Sequence, residues 1–200
     1  CAYSAFTDYM SNCGTGNTLG VGGKGVTATV GYAFDSGFSM AGGISSVQDN
    51  ILTDEGSDLY ALNAAYIADS YGVAIAYATA DNAASDETTY WGVNGYYTPD
   101  SLSLPSISLG FETEETGSAG DKTGYFVGLT WAEVGPGSVS VGLGTTANFL
   151  DTDQEYLTYE ASYSYPVNDF ITITPGAYIT ETAPVHGYDD DEVGVILKSS

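Results

Sequence analysis

Carboxylates are the main chemical resource of this sequence. Its 200 residues carry 26 Asp and Glu against 3 basic residues, a formal net charge of −23. Many of the acids fall in short runs: Asp54, Glu55 and Asp58; Glu112, Glu114 and Glu115; Asp151, Asp153 and Glu155; Asp189, Asp190 and Asp191. Hard divalent cations such as Ca²⁺ take carboxylate oxygens, so Asp151, Asp153, Asp189, Asp190 and Asp191 are candidate cation ligands. The alternative for the same residues is a solvated acidic surface that maintains solubility. No loop of EF-hand spacing is present.

Other chemistry is sparse. His186 is the only histidine and lies in an acidic stretch without an evident nucleophile beside it, so no Ser/His/Asp or Cys/His arrangement can be drawn and no enzyme is expected. Gly135-Pro136-Gly137 is turn chemistry, because no strand-to-helix context follows it. No resident cofactor is implied beyond Ca²⁺ in the acidic loops. The basic residues are Lys24, Lys122 and Lys198, too few and too scattered to bind a phosphate backbone, which excludes nucleic acid as a partner. Cys1 and Cys13 form a disulfide candidate in an exported protein; two separate thiols are the alternative.

The elements that would position these groups are strands. Val26, Ala28, Val30, Tyr32 and Phe34 alternate with Thr27, Thr29 and Gly31, and successive side chains of a strand point to opposite faces. Similar runs follow: Phe38, Met40 and Ile44; Leu59, Ala61, Ala65 and Ile67; Tyr71, Val73, Ile75 and Tyr77; Ile107, Leu109 and Phe111; Thr123 to Trp131; Val139, Val141 and Leu143. Thr88–Tyr97 is aromatic on both parities. The last quarter adds Leu157 to Tyr165, Ile171 to Ile179, and Val193, Val195 and Leu197. Residues 24–200 are expected to form one all-β domain of about 11 strands, within the usual length of barrel spans. Residues 1–23 alternate poorly and are expected to be irregular, with a short helix over Ala2–Met10.

Connections alternate between short turns, such as Asp35-Ser36-Gly37 and Pro166–Asp169, and longer acidic loops, such as Val47–Ser57, Thr113–Asp121 and Glu181–Asp190. An antiparallel up-and-down transmembrane β-barrel has this layout, with aromatic girdles where its wall meets the headgroups. Tyr32, Phe34, Phe38, Tyr71, Trp131, Tyr163 and Tyr165 lie near short turns, as a girdle requires. The Leu/Ile/Val parity would then meet outer-membrane lipid. The Gly/Ser/Thr parity would line the interior, making Glu112, Glu160, Thr130, Thr172 and Thr174 pore-lining candidates. The competing architecture is a secreted or cell-surface β-sandwich that assembles through acidic, Ca²⁺-binding loops. Charge is confined mostly to loops and the wet parity is Gly, Ser, Thr and Ala, which favours the barrel.

Three segments carry a family resemblance: DKTGYFVGLTWAEVGPGSVSVGLGT, EYLTYEASYSYPVNDFITITPGAYI and the terminal DDEVGVILKSS. Together they resemble the C-terminal barrel of cyanobacterial outer-membrane porins, those of marine picocyanobacteria in particular. The similarity extends over about residues 20–200 and is most specific from Asp121 onward. It implies a β-barrel in the cell outer membrane, commonly identified as an iron-uptake porin. Such a barrel passes small hydrophilic solutes and inorganic ions and assembles as a homotrimer. The acidic mouths would make the passage cation-favouring. The final strand lacks the terminal aromatic residue of outer-membrane barrels, and the family's N-terminal domain is absent. The expectation is therefore a fragment. Single-chain bacterial barrels close with an even number of strands, so about 11 would be part of a larger barrel or assemble differently.

Overall fold

A computed structural model describes residues 25–47, 57–81, 87–117, 120–145, 156–181 and 191–200. The expectations for residues 1–23, for Cys1 and Cys13, for His186 and for Asp151, Asp153, Asp189 and Asp190 lie outside them.

The described chain is all-β. Its strands are β1 (Gly25–Ala33), β2 (Phe38–Val47), β3 (Ser57–Ile67), β4 (Tyr71–Asp81), β5 (Thr88–Tyr97), β6 (Ser106–Thr116), β7 (Gly120–Val134), β8 (Gly137–Thr145), β9 (Leu157–Asn168), β10 (Ile171–Thr180) and β11 (Glu192–Ser199). All 11 belong to one sheet in sequence order, each antiparallel to its neighbours. This is the expected up-and-down meander. It is a single sheet, not two packed ones. Strand contacts run between sequence neighbours, and no second layer of strands or helices covers either face among the described residues. No helix there is long and apolar enough to cross a membrane, which says nothing about crossing by strands.

The odd strand number has a geometric consequence. β1 and β11 both run from the loop end to the short-turn end, so they point the same way. Closing the wall takes a parallel seam between them or an odd number of further antiparallel strands.

Local chemistry explains the turns. Gly37 sits at φ 84°, in the left-handed region that glycine tolerates best. Its N–H donates to the Phe34 carbonyl at 3.2 Å, closing the β1–β2 turn. Gly135 sits at φ 64° in the tight loop between β7 and β8. Tyr163 braces that loop by donating its hydroxyl to the Val134 carbonyl at 2.9 Å. Between β9 and β10, the Asn168 side chain accepts the Phe170 N–H at 2.9 Å, the local side-chain-to-backbone bond that favours Asn in turns.

Two readings from the sequence are corrected. Thr113–Asp121 is not a loop: β6 and β7 continue through it by pairing Thr113 with Thr123, Glu114 with Lys122 and Glu115 with Asp121. Only residues 117–119 remain between the strands. The acidity of the segment suggested a loop, but the Glu114–Lys122 ion pair, 2.7 Å long, lets the ladder run on. Connection lengths therefore alternate less strictly than expected. The second correction concerns β3. Leu59, Ala61 and Ala65 face Ala80, Ala78 and Ala74, on the small-residue side of the sheet. The apolar face of β3 is carried by Tyr60, Leu62, Ala64 and Tyr66, which pair with Thr79, Tyr77, Ile75 and Val73.

Candidate functional site

Strand register divides the sheet into two walls of opposite chemistry. One carries Val30, Leu62, Val73, Ile75, Val93, Leu109, Val141, Ile173, Ile179 and Val195, all exposed. Aromatic rings bound this aliphatic band on both sides. At the short-turn end stand Tyr32, Phe34, Phe38, Tyr66, Tyr71, Tyr97, Trp131 and Tyr165. Tyr32 and Phe34 meet edge to face at 4.6 Å between centroids, and Tyr66 and Tyr71 lie 6.0 Å apart. Toward the loop end stand Tyr60, Tyr77, Trp91, Phe111, Tyr125 and Tyr159 on the same face, with Trp91 and Phe111 at 5.2 Å. This second ring was missed in the sequence, because its members are far from any turn signal and only the register lines them up.

The opposite wall is the candidate site. Hydroxyls on neighbouring strands pair across it: Thr130 with Ser140 at 3.0 Å, Ser164 with Thr174 at 3.0 Å and Thr158 with Thr180 at 3.1 Å. Of the sequence candidates, Thr130, Thr172, Thr174, Glu112 and Glu160 all fall on this face by strand parity. Thr172 is tied to the end of the chain, exchanging backbone hydrogen bonds with Ser200 at 2.8 and 3.0 Å. Glu112 is buried and stands in register between Gly92 and Gly124. Glu160 is exposed and stands between Gly142 and Tyr178. The two glutamates are three strand spacings apart, about 14 Å across the sheet, and four residues out of register, about 13 Å along it, and do not form one site.

Three large rings on this wall lie opposite glycines, while a fourth, Tyr90, stands opposite Ala78 and packs against it. Tyr96 faces Gly72, Phe126 faces Gly110 and Tyr178 faces Gly194. A Cβ at any of these glycines would run into the ring it faces. Each ring therefore lies across its neighbouring strand instead of standing off the wall, as aromatics do over glycines in β-sheets.

Four carboxylates near the loop end are engaged. Glu114 holds Lys122, and Thr79 donates its hydroxyl to Glu87 at 2.6 Å. Glu181 accepts the Leu157 N–H at 2.9 Å, and Glu192 accepts the Tyr178 hydroxyl at 2.9 Å. These bonds fasten adjacent strands to one another. Of the acidic-loop candidates only Asp191 is described, exposed just before β11. Among the described residues no group of three or more His, Cys, Asp or Glu is placed to hold a metal.

Comparison with protein-family models gives no match, and a search of curated proteins gives none either.

Proposed function

We propose that this chain is the wall of an outer-membrane porin, or part of that wall. It passes small hydrophilic solutes and inorganic ions by diffusion and favours cations. The observation that carries this reading is the exposed aliphatic band between two rows of aromatic rings. Leaving a buriable Val, Leu or Ile side chain in water forgoes about 1.5–3 kcal/mol. Over the band this amounts to roughly tens of kcal/mol, against a net stability of about 5–15 kcal/mol for a typical domain. An apolar surface that large calls for a covering phase. Lipid suits it, because interfacial Tyr and Trp gain on both sides of the headgroup boundary.

The hydroxyl and glycine lining supports a wet interior, which lowers the cost of carrying polar solutes across. Acidic residues concentrated toward the loop end, with Lys198 toward the other, support entry of cations. The resemblance to cyanobacterial porins adds the outer membrane as location and a homotrimer as assembly. The competing architecture, a sandwich that assembles through Ca²⁺ loops, needs two packed sheets, and the strands form one. The test is single-channel recording in a planar bilayer with refolded protein. Discrete conductance steps with a cation-directed reversal potential in a KCl gradient are expected. A protein that inserts and stays silent overturns the channel.

A further inference from the structure

By register the polar wall carries Glu112, Glu114, Lys122, Glu160, Glu192 and, exposed toward the short-turn end, Lys198, and these charges are not equivalent. Glu114 is neutralised by Lys122 at 2.7 Å. Glu192 is occupied by the Tyr178 hydroxyl. Glu112 is buried. Glu160 is exposed, and among the described residues no cation or hydrogen-bond donor reaches its carboxylate.

Its neighbours explain why it stays open. On one side the row in register runs through Gly142, Gly128 and Ser108, so three successive strands carry nothing larger than a serine. On the other side stands Tyr178, the one large group that could cover it. That ring lies over Gly194 on β11 and is held there by Glu192, away from Glu160. Along β9 the same face offers Thr158, Ser162 and Ser164, and the hydroxyls of Thr158 and Ser164 already bond Thr180 and Thr174.

We infer that Glu160 is the residue that sets the charge preference of the channel, and that Gly194 and Glu192 are positioning residues that hold Tyr178 clear of it. This rests on the channel reading above. The ligand class is a small hydrated inorganic cation. A single carboxylate beside a few hydroxyls cannot supply the 6–8 oxygens that Ca²⁺ takes when it sheds water, so the ion passes with its hydration shell. Weak attraction of this kind suits conduction, which requires entry to be favoured without trapping.

The experiment compares wild type, Glu160→Gln, Ser162→Lys and Gly194→Val in planar bilayers under a KCl gradient. Wild type is expected to be cation-selective. In Glu160→Gln the potassium-over-chloride permeability ratio is expected to fall at least about fivefold, because one carboxylate about 4 Å away in water favours a monovalent cation about fivefold and disfavours chloride as well. Single-channel conductance is expected to change much less. Ser162→Lys, on the same strand face, is expected to move the ratio in the same direction, and it keeps the test open if Glu160→Gln refolds poorly. Gly194→Val, which displaces the Tyr178 ring, is expected to lower conductance through a narrower passage and to shift the reversal potential. A merely structural role for Gly194 would leave that potential unmoved. If wild type conducts and Glu160→Gln keeps its reversal potential, or Ser162→Lys keeps it where Glu160→Gln does not refold, the inference is overturned and the channel reading survives. If wild type does not conduct, the channel reading falls and the inference falls with it.

Discussion

Phe126 is a bulky apolar residue on the polar wall, and Gly110 is what allows it to be there. The ring lies across the space where a Cβ would stand. Gly110→Val would force the ring off the wall or the strands apart, and over-packing of that kind costs about 1–3 kcal/mol. Denaturant melts of the refolded protein should show that loss. Serine in place of Gly128, whose Cβ would meet only the Ser108 Cβ at 3.8 Å, should cost less. The two faces also make opposite demands on a charge. Ile75→Arg places a cation in the aliphatic band, where a lipid-facing charge costs about 2–4 kcal/mol near the midplane. Ser162→Arg places the same charge on the hydroxyl wall, next to Glu160 on the same strand face, and should cost little. Equilibrium unfolding from lipid vesicles compares the two directly. If water bathes both faces, the Ile75→Arg penalty disappears.

At the scale of elements, the β7–β8 hairpin is the clearest case of sequence specifying shape. Val134-Gly135-Pro136-Gly137 needs glycine twice, for different reasons. Gly135 has a positive φ. Gly137 lies against the Ser164 carbonyl and the Tyr163 ring, leaving no room for a Cβ. Gly137→Ala should therefore destabilise the hairpin more than Tyr163→Phe, which removes one hydrogen bond worth about 0.5–1.5 kcal/mol. Hydrogen exchange at Val139 and Val141 should report the difference. That hairpin was legible in the sequence, as were the strand number and the antiparallel order, because period-two alternation and turn residues are local signals. The face of β3 was not. Leu59, Ala61, Ala65 and Tyr60, Leu62, Tyr66 are both plausible apolar sets, and pairing with β4 decides between them. The reach of β6 and β7 was hidden for a similar reason: Glu114 reads as loop chemistry until Lys122 stands across from it. Among the site residues, Thr130, Thr174, Glu112 and Glu160 were visible by parity. The arrangement that leaves Glu160 open was not, since Tyr178 and Gly194 meet only across two strands.

At the scale of the whole molecule, one sheet with an apolar wall and a hydroxyl wall needs two different surroundings. Water satisfies the second and not the first. Among the described residues β1 and β11 are its edge strands, and they add a second demand, because unpaired backbone groups in lipid cost several kcal/mol each and cannot remain open there. A membrane-inserted form must therefore seal those edges. The proposed contact between the apolar wall and lipid can be tested without any mutation. Trp91 and Trp131 are the only tryptophans, and both lie on the apolar face, Trp91 toward the loop end and Trp131 toward the short turns. Fluorescence of the refolded protein should be measured in vesicles whose lipids carry bromine at shallow or deep positions along the acyl chain. Strong quenching by the shallow bromines, with weaker quenching by the deep ones, is the expected result for two girdle residues. Fluorescence untouched by bromine at either depth would contradict a lipid-facing wall.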